Sequence, residues 1–292
     1  MRKITVIGAG YVGSSIAYSL MLIEAAEEIA LVDVNPVAVN AEVADIRPGL
    51  SAISPSKVYR GSYADAADSD IIIVTAGVSR KPNESRLDLI GKNAAVARDI
   101  AQNLKANNAR GIVVVVSNPV DVITRIFAEE LNELSGRVFG TGCILDSARF
   151  RSVLADFLNV SEASVQAFVA GEHGAGQVPL WSSVRINGNP VELKEADKQK
   201  IAAKVANTGA EIIAGKGRTH YGIAGCVAYI VNEMKEHHQT LLSLTFPVSG
   251  RRACVSRPCL LTDGGVREIE NSLSEAELTL INKAAAKLEK IL

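Results

Sequence analysis

The run Ile4-Thr5-Val6-Ile7 meets Gly8-Ala9-Gly10-Tyr11-Val12-Gly13, a helix-like segment continues to about Ile23, a second apolar run covers Ile29 to Val32, and Asp33 follows. Glycine triplets alone are common in turns. One that closes a strand, opens a helix and is followed by an acid about twenty residues on restricts the chain to a βαβ unit built to hold a dinucleotide. Gly8 allows the tight turn, Gly10 lets the backbone approach a pyrophosphate, and Gly13 lets the helix lie against the sheet. The helix start offers free N–H donors and a positive dipole end to the phosphates. Asp33 is placed to hydrogen-bond the ribose hydroxyls and would repel a 2′-phosphate, so the expected dinucleotide is NAD rather than NADP.

The same alternation continues. Asn35 and Pro36 form an N-cap and a first-turn proline for a helix to about Asp45. Lys57–Tyr59 is a short strand. Ile71–Thr75 and Ile112–Val116 are unbroken apolar runs, as expected of strands covered on both faces. Helices are expected over 87–108 and 120–133, a last short strand at Val138 and Phe139, and a hinge-like turn at Gly140–Gly142. The fold expected is α/β, a Rossmann-type doubly wound parallel sheet over residues 1–142 followed by an α+β catalytic domain over 143–292. In the second half helices are expected from Leu145 to Leu158, Glu195 to Ala214 and Gly222 to Lys235. Strands are expected at 165–170, 241–246 and 253–261, and a C-terminal helix is capped by Ser274 with Glu277 in a capping box.

Composition excludes several classes of function. With 292 residues, 48% of them hydrophobic, the chain has ample material for a core, and its formal net charge of −1 gives no reason to expect nucleic acid or an anionic membrane as a partner. No apolar run is long enough to span a bilayer, and the N-terminus enters the first strand directly, so a cytoplasmic protein is expected. Cys143, Cys226, Cys254 and Cys259 are scattered, with no metal-like spacing to His173, His220, His237 or His238. Reduced structural thiols and no bound metal are expected.

Four segments carry candidate chemistry, the first two at the carboxyl edge of the expected sheet. Residues 76–86 hold Arg80, Lys81 and Arg86 between glycine and proline punctuation; they suit either a lid over the site or a solvated charged loop. Asn118 ends the next strand with a polar amide. Asp146 and Arg149 share one helix face, as a plain ion pair or as an acid and a base offered to one site. His173 lies between glycines at a strand end, accessible and little restrained.

Taken in order, Gly8–Gly13, Asp33, the segment Thr75–Asn93 (TAGVSRKPNESRLDLIGKN), Ser117–Asp121 (SNPVD), Leu145–Arg151 (LDSARFR) and Gly171–Gly174 (GEHG) resemble the lactate/malate dehydrogenase family over essentially the whole chain. The resemblance implies an NAD-dependent L-2-hydroxy acid dehydrogenase that acts on a small 2-hydroxy or 2-oxo acid and assembles as a homodimer or homotetramer. It implies that His173 exchanges the proton, Asp146 orients it, Arg149 grips the substrate carboxylate, Arg86 polarises the carbonyl, and Asn118 contacts the substrate oxygen and the nicotinamide. Val12, Thr75, Gly77, Asn93 and Ser117 join the glycines and Asp33 in holding NAD. The other histidines match no catalytic position.

For the substrate, an arginine at Arg80 suits the second carboxylate of oxaloacetate and so malate. The run from Glu84 to Leu89 and the pocket-wall Thr219 resemble the lactate branch, and L-lactate is the favoured substrate. Arg151 matches one element of the family's sugar-bisphosphate effector site, but Gln166 replaces the partner histidine, so little or no activation by fructose 1,6-bisphosphate is expected. The acid that usually follows GEHG is Ala175, and the stretch from His237 to Pro258 is shorter than is usual, leaving the sheet there the least supported part. An NAD-dependent glycosidase would need a metal held by cysteine and histidine, which no cysteine beside Asn118 or His173 supplies. A non-enzymatic NAD sensor would not need Asp146, Arg149 and His173 together.

Overall fold

A computed structural model describes residues 1–78, 86–248, 250–270 and 273–291. The first half runs β1 (Lys3–Ile7), α1 (Tyr11–Leu22), β2 (Glu28–Val32), α2 (Pro36–Leu50), β3 (Lys57–Arg60), β4 (Ile71–Val74), α3 (Arg86–Ala106), β5 (Ile112–Val115), α4 (Val120–Glu130) and β6 (Val138–Gly140). The second half runs α5 (Ile144–Leu158), β7 (Val165–Gln166), β8 (Val169–Gly171), β9 (Gln177–Pro179), β10 (Arg185–Ile186), β11 (Asn189–Pro190), α6 (Glu195–Lys216), α7 (Tyr221–Lys235), β12 (Thr240–Pro247), β13 (Cys254–Thr262), β14 (Gly265–Glu268) and α8 (Glu275–Glu289).

β1, β4 and β5 are buried along their whole length, because helices cover both faces of a parallel sheet and leave no polar side for them to show. Register is continuous, with Ile4 opposite Ile71 and Ile7 opposite Val74. The strand order β3-β2-β1-β4-β5-β6 reverses direction between β1 and β4. Ligands of such sheets lie outside the carboxyl ends of the strands at that reversal, and Gly8, Thr75 and Ser117 all follow strands there.

The sheet does not stop at the hinge-like turn. β6 pairs with β12 at Gly140 opposite Thr245, and β13, β8 and β9 follow. α1 packs on α7 across the two halves. A smaller core lies under α5 and α6, where Phe150 meets Trp181 edge-on with ring centroids 4.9 Å apart.

Two local expectations are corrected. The strand expected at 165–170 is two strands in different sheets: β7 joins β10 and β11, while β8 joins the main sheet. At the break, side chains of α5 replace the ladder; Ser147 Oγ accepts the Val169 N–H at 2.9 Å and Arg151 donates to the Ala167 carbonyl at 3.3 Å. The helix expected to end near Asp45 runs through Pro48 to Leu50, held by buried Ile46 and Leu50 against the bond that proline cannot make.

Glu277 does more than cap α8. Besides the Ser274 N–H, it accepts the Ser182 N–H at 3.0 Å and the Ser182 hydroxyl at 2.5 Å, tying α8 to the segment after β9. Burial pushes its carboxyl up, but these bonds outweigh burial and hold it below the ordinary 4.5. Stability from such a group is present above the ordinary value and lost as pH falls through the folded one. Glu277→Gln is therefore expected to lower unfolding free energy at pH 7 by about 1–2 kcal/mol in denaturant titrations. The gap from wild type should close as pH falls through that lowered value.

Candidate active site

The glycine loop after β1 is shaped by contacts that no side chain could share. A Cβ at Gly13 would lie 1.8 Å from the Gly8 carbonyl oxygen, and one at Gly8 (φ +108°) would lie 2.5 Å from Thr75 Oγ1. Thr75 Oγ1 donates to that same Gly8 carbonyl at 3.0 Å, so the β4 end braces the loop. Over Gly10 the space is open, with nothing within 4 Å of where a Cβ would stand, and no side chain caps α1. Asp33 accepts the Ala9 N–H at 2.7 Å through one oxygen and the Asn35 N–H at 2.9 Å through the other, and each oxygen keeps a lone pair. An open glycine backbone, an uncapped helix start and a carboxylate at the β2 end fit a dinucleotide.

Below this loop lies a cavity of about 330 Å³ at the carboxyl edge of the sheet. Val12, Thr75, Ser117, Asn118, Arg149, His173 and Thr219 all line it, although they come from segments spread over more than two hundred residues. His173 Nδ1 lies 2.6 Å from Asp146 Oδ2, and Arg149 approaches the other Asp146 oxygen at 3.4 Å. The Asp146 side chain is 3% exposed, Arg149 15% and His173 26%, so the carboxylate is sealed behind two groups that reach the cavity.

The electrostatics follow from that burial. Desolvation raises the Asp146 carboxyl, but the His173 hydrogen bond and charge, with Arg149, outweigh it and leave it lowered. Desolvation lowers the His173 imidazole; the hydrogen bond and charge of Asp146, then the charge of Asp121, outweigh that and leave it raised. The pair therefore favours an imidazolium beside a carboxylate. With Nδ1 committed to Asp146, Nε2 is the nitrogen left for a ligand.

Other expected residues stand differently. Asn93 is buried and does not line the cavity; its amide donates to the Asn118 carbonyl at 2.8 Å and accepts the Val78 N–H at 2.8 Å. It braces the strand ends against each other. Gly77 lies over it, a Cβ there being 3.3 Å from Asn93 Oδ1. Arg80 lies outside the described residues, and of Arg86 only the backbone, opening α3, falls within them. Gln166 is exposed. His220 Nδ1 meets Ser15 Oγ at 3.0 Å, and His237 pairs with Asp263. All four cysteines are free, with burial pushing Cys226 to about 11 and Cys254 and Cys259 to about 12. No group of three or more metal-ligating side chains occurs among the described residues.

Sequence reasoning missed Gly209, Ile213 and Ile223, which complete the cavity wall from α6 and α7. A Cβ at Gly209 would stand 3.6 Å from the Arg149 guanidinium. A glycine in a 22-residue helix costs about 1 kcal/mol relative to alanine, which was the available clue.

Residues 2–140 match the family model described as lactate/malate dehydrogenase, NAD binding domain, and residues 143–292 match lactate/malate dehydrogenase, alpha/beta C-terminal domain. The chain is 35% identical to the L-lactate dehydrogenase of Acetivibrio thermocellus and to that of Bacillus caldotenax, in each case over 100% of this chain and 96% of the relative. It resembles the solved structure of the minor L-lactate dehydrogenase from Enterococcus mundtii in the ligands-bound form, with TM-score 0.95 and 34% identity over 99% of this chain and 97% of that one. MGS-M5, a lactate dehydrogenase from a Medee basin deep-sea metagenome library, gives TM-score 0.95 at 29% identity over 100% and 98%.

Histidine ring NMR gives a direct check on the electrostatics. His173 is expected to titrate above the ordinary value of about 6.5. In Asp146→Asn, burial remains while the opposing charge is gone, so the midpoint should fall below wild type.

Proposed function

The chain belongs to the lactate/malate dehydrogenase family, and on that premise we propose that it interconverts pyruvate and L-lactate with NAD. The carrying observation is the 2.6 Å contact of His173 with buried Asp146, at a cavity that Asn118, Arg149 and Thr219 also line beneath the glycine loop. Bound NADH supplies the hydride that reduces the carbonyl carbon of pyruvate. His173 gives the carbonyl oxygen its Nε2 proton in that direction and takes the hydroxyl proton back in the other. Asp146 holds Nδ1 protonated and stabilises the imidazolium, so one imidazole serves both directions.

Arg149 grips the substrate carboxylate. Its loose 3.4 Å approach to Asp146 leaves guanidinium N–H groups for two parallel bonds, which lysine, a point charge, cannot supply. Asn118 contacts the substrate oxygen and the nicotinamide, Thr219 walls the methyl side, and the family resemblance assigns Arg86 the polarising of the carbonyl. Gly8, Gly10, Val12, Gly13 and Asp33, with Thr75, Gly77, Asn93 and Ser117, form or brace the NAD site. Residues 1–142 act as the cofactor domain and 143–292 as the substrate domain.

The preference for lactate is supported by the printed names of the relatives and by Thr219 in the cavity wall. The malate alternative rests on Arg80 alone. Assembly into a homodimer or homotetramer belongs to the same proposal. It is supported by exposed Tyr18 and Leu22 on α1 and Tyr221 and Tyr229 on α7, two helices packed together. No helix among the described residues is long and apolar enough to cross a membrane, and a cytoplasmic site of action is the location proposed.

Nicotinamide absorbance tests the proposal. The kcat/KM for pyruvate should exceed that for oxaloacetate, and Arg149→Lys, which keeps the charge but loses the paired hydrogen bonds, should lower the pyruvate value at least about 30-fold, or about 2 kcal/mol. A preference for oxaloacetate would reassign the substrate to malate.

A further inference from the structure

Asp121, in the first turn of α4, is 3% exposed and does not line the cavity, although its neighbours Asn118 and Val120 do. Its Oδ2 accepts the His173 backbone N–H at 2.9 Å. Its Oδ1 accepts the hydroxyl of Thr245 on β12. Thr245 Oγ1 lies 2.8 Å from Ser256 Oγ on β13, and Ser256 Oγ accepts the Cys143 N–H at 3.0 Å, immediately before α5.

With the Asp121 carboxylate ionised, the protons of this chain have one assignment. The Cys143 N–H can only donate. Thr245 has a single proton and gives it to Asp121, so the Ser256 hydroxyl must donate to Thr245. Every donor thus points toward Asp121, whose two oxygens both accept. This arrangement belongs to the ionised carboxylate; a protonated one would turn an O–H toward Thr245 and reverse that hydroxyl toward Ser256. The positive end of the α4 dipole favours the same state.

We propose that Asp121 is a positioning residue for the proton transfer. It fixes the His173 turn through its backbone N–H and, through Thr245 and Ser256, fixes the start of the helix that carries Asp146 and Arg149. The two partners of the His173–Asp146 bond are thereby referred to one buried anion on the cofactor side of the sheet. This inference rests on the assignment of His173 as the group that exchanges the proton.

The ionisable groups facing Asp121 and His173 are Asp146, Arg149 and Cys143 from α5 and its cap, Glu172 from the His173 turn and Cys254 from β13. Burial pushes the Asp121 carboxyl up to about 6, against the bonds from Thr245 and the His173 N–H. As pH falls through that value the chain loses its terminal acceptor. Pyruvate reduction, which acid should otherwise favour by protonating His173, should then decline on the acid side.

Asp121→Asn separates the parts of the proposal. Its amide oxygen can still accept the His173 N–H, while the charge is lost and the amide N–H₂ faces Thr245. The expected result is a downward shift of the His173 ring titration by NMR and a kcat for pyruvate reduction about 10- to 100-fold lower, with KM for NADH within about twofold. A folded Asp121→Asn protein with an unmoved His173 titration and unchanged kcat would overturn the proposal. Thr245→Val, which removes the donor to Oδ1, should move the acid-side decline to higher pH; if Asp121→Asn does not fold, an unmoved decline in Thr245→Val overturns it instead. A wild-type protein that reduces neither pyruvate nor oxaloacetate would contradict the functional reading, and the NMR titration would then decide the positioning role by itself.

Discussion

A carboxylate as buried as Asp146 stays ionised beside an imidazole only while the hydrogen bond and charge between them outweigh the loss of water around both. At 2.6 Å from His173 Nδ1, with Arg149 on its second oxygen, Asp146 meets that condition. Loosening the contact would remove the main opposition to desolvation, favouring a protonated acid and a neutral imidazole. The chemistry of the site therefore depends on holding two side chains from different elements in one geometry.

The fold supplies that geometry from several directions. β8 ends at the His173 turn, α5 presents Asp146 and Arg149 on one face, and Ser147 joins the two elements by accepting the Val169 N–H. The main sheet runs on from β6 into β12 and β13, so the glycine loop after β1 and the His173 turn belong to one continuous framework. Thr75 and Asn93 brace the strand ends on the cofactor side. Positioning is thus spread over hydrogen bonds within the protein, outside the His173–Asp146 contact itself.

What could be read from the sequence was whatever left a local trace. β1, β4 and β5 were legible because strands covered on both faces are continuously apolar. The glycine loop was legible because each glycine meets a steric demand, as the 1.8 Å contact at Gly13 illustrates. His173, Asp146, Arg149 and Asn118 were placed by motif and resemblance, and the cavity brings His173, Arg149 and Asn118 together, with Asp146 behind them. The division of 165–170 between two sheets was not legible, since Val165, Ala167 and Val169 are all buried and alternate as one strand would. The two-residue strands β10 and β11 are too short to carry a period. Gly209 and Asp121 matter only through neighbours far away in sequence, and Asn93 was placed by resemblance, which does not show which backbone groups an amide satisfies.

The most direct test of the central claim, that the His173–Asp146 pair carries the proton in both directions, compares the pH dependence of kcat/KM for pyruvate reduction with that for lactate oxidation. The account predicts opposite limbs through the ionisation of His173, above the ordinary imidazole value of about 6.5, with reduction falling and oxidation rising as pH increases. Profiles that run parallel, or that stay flat through that range in both directions, would contradict it.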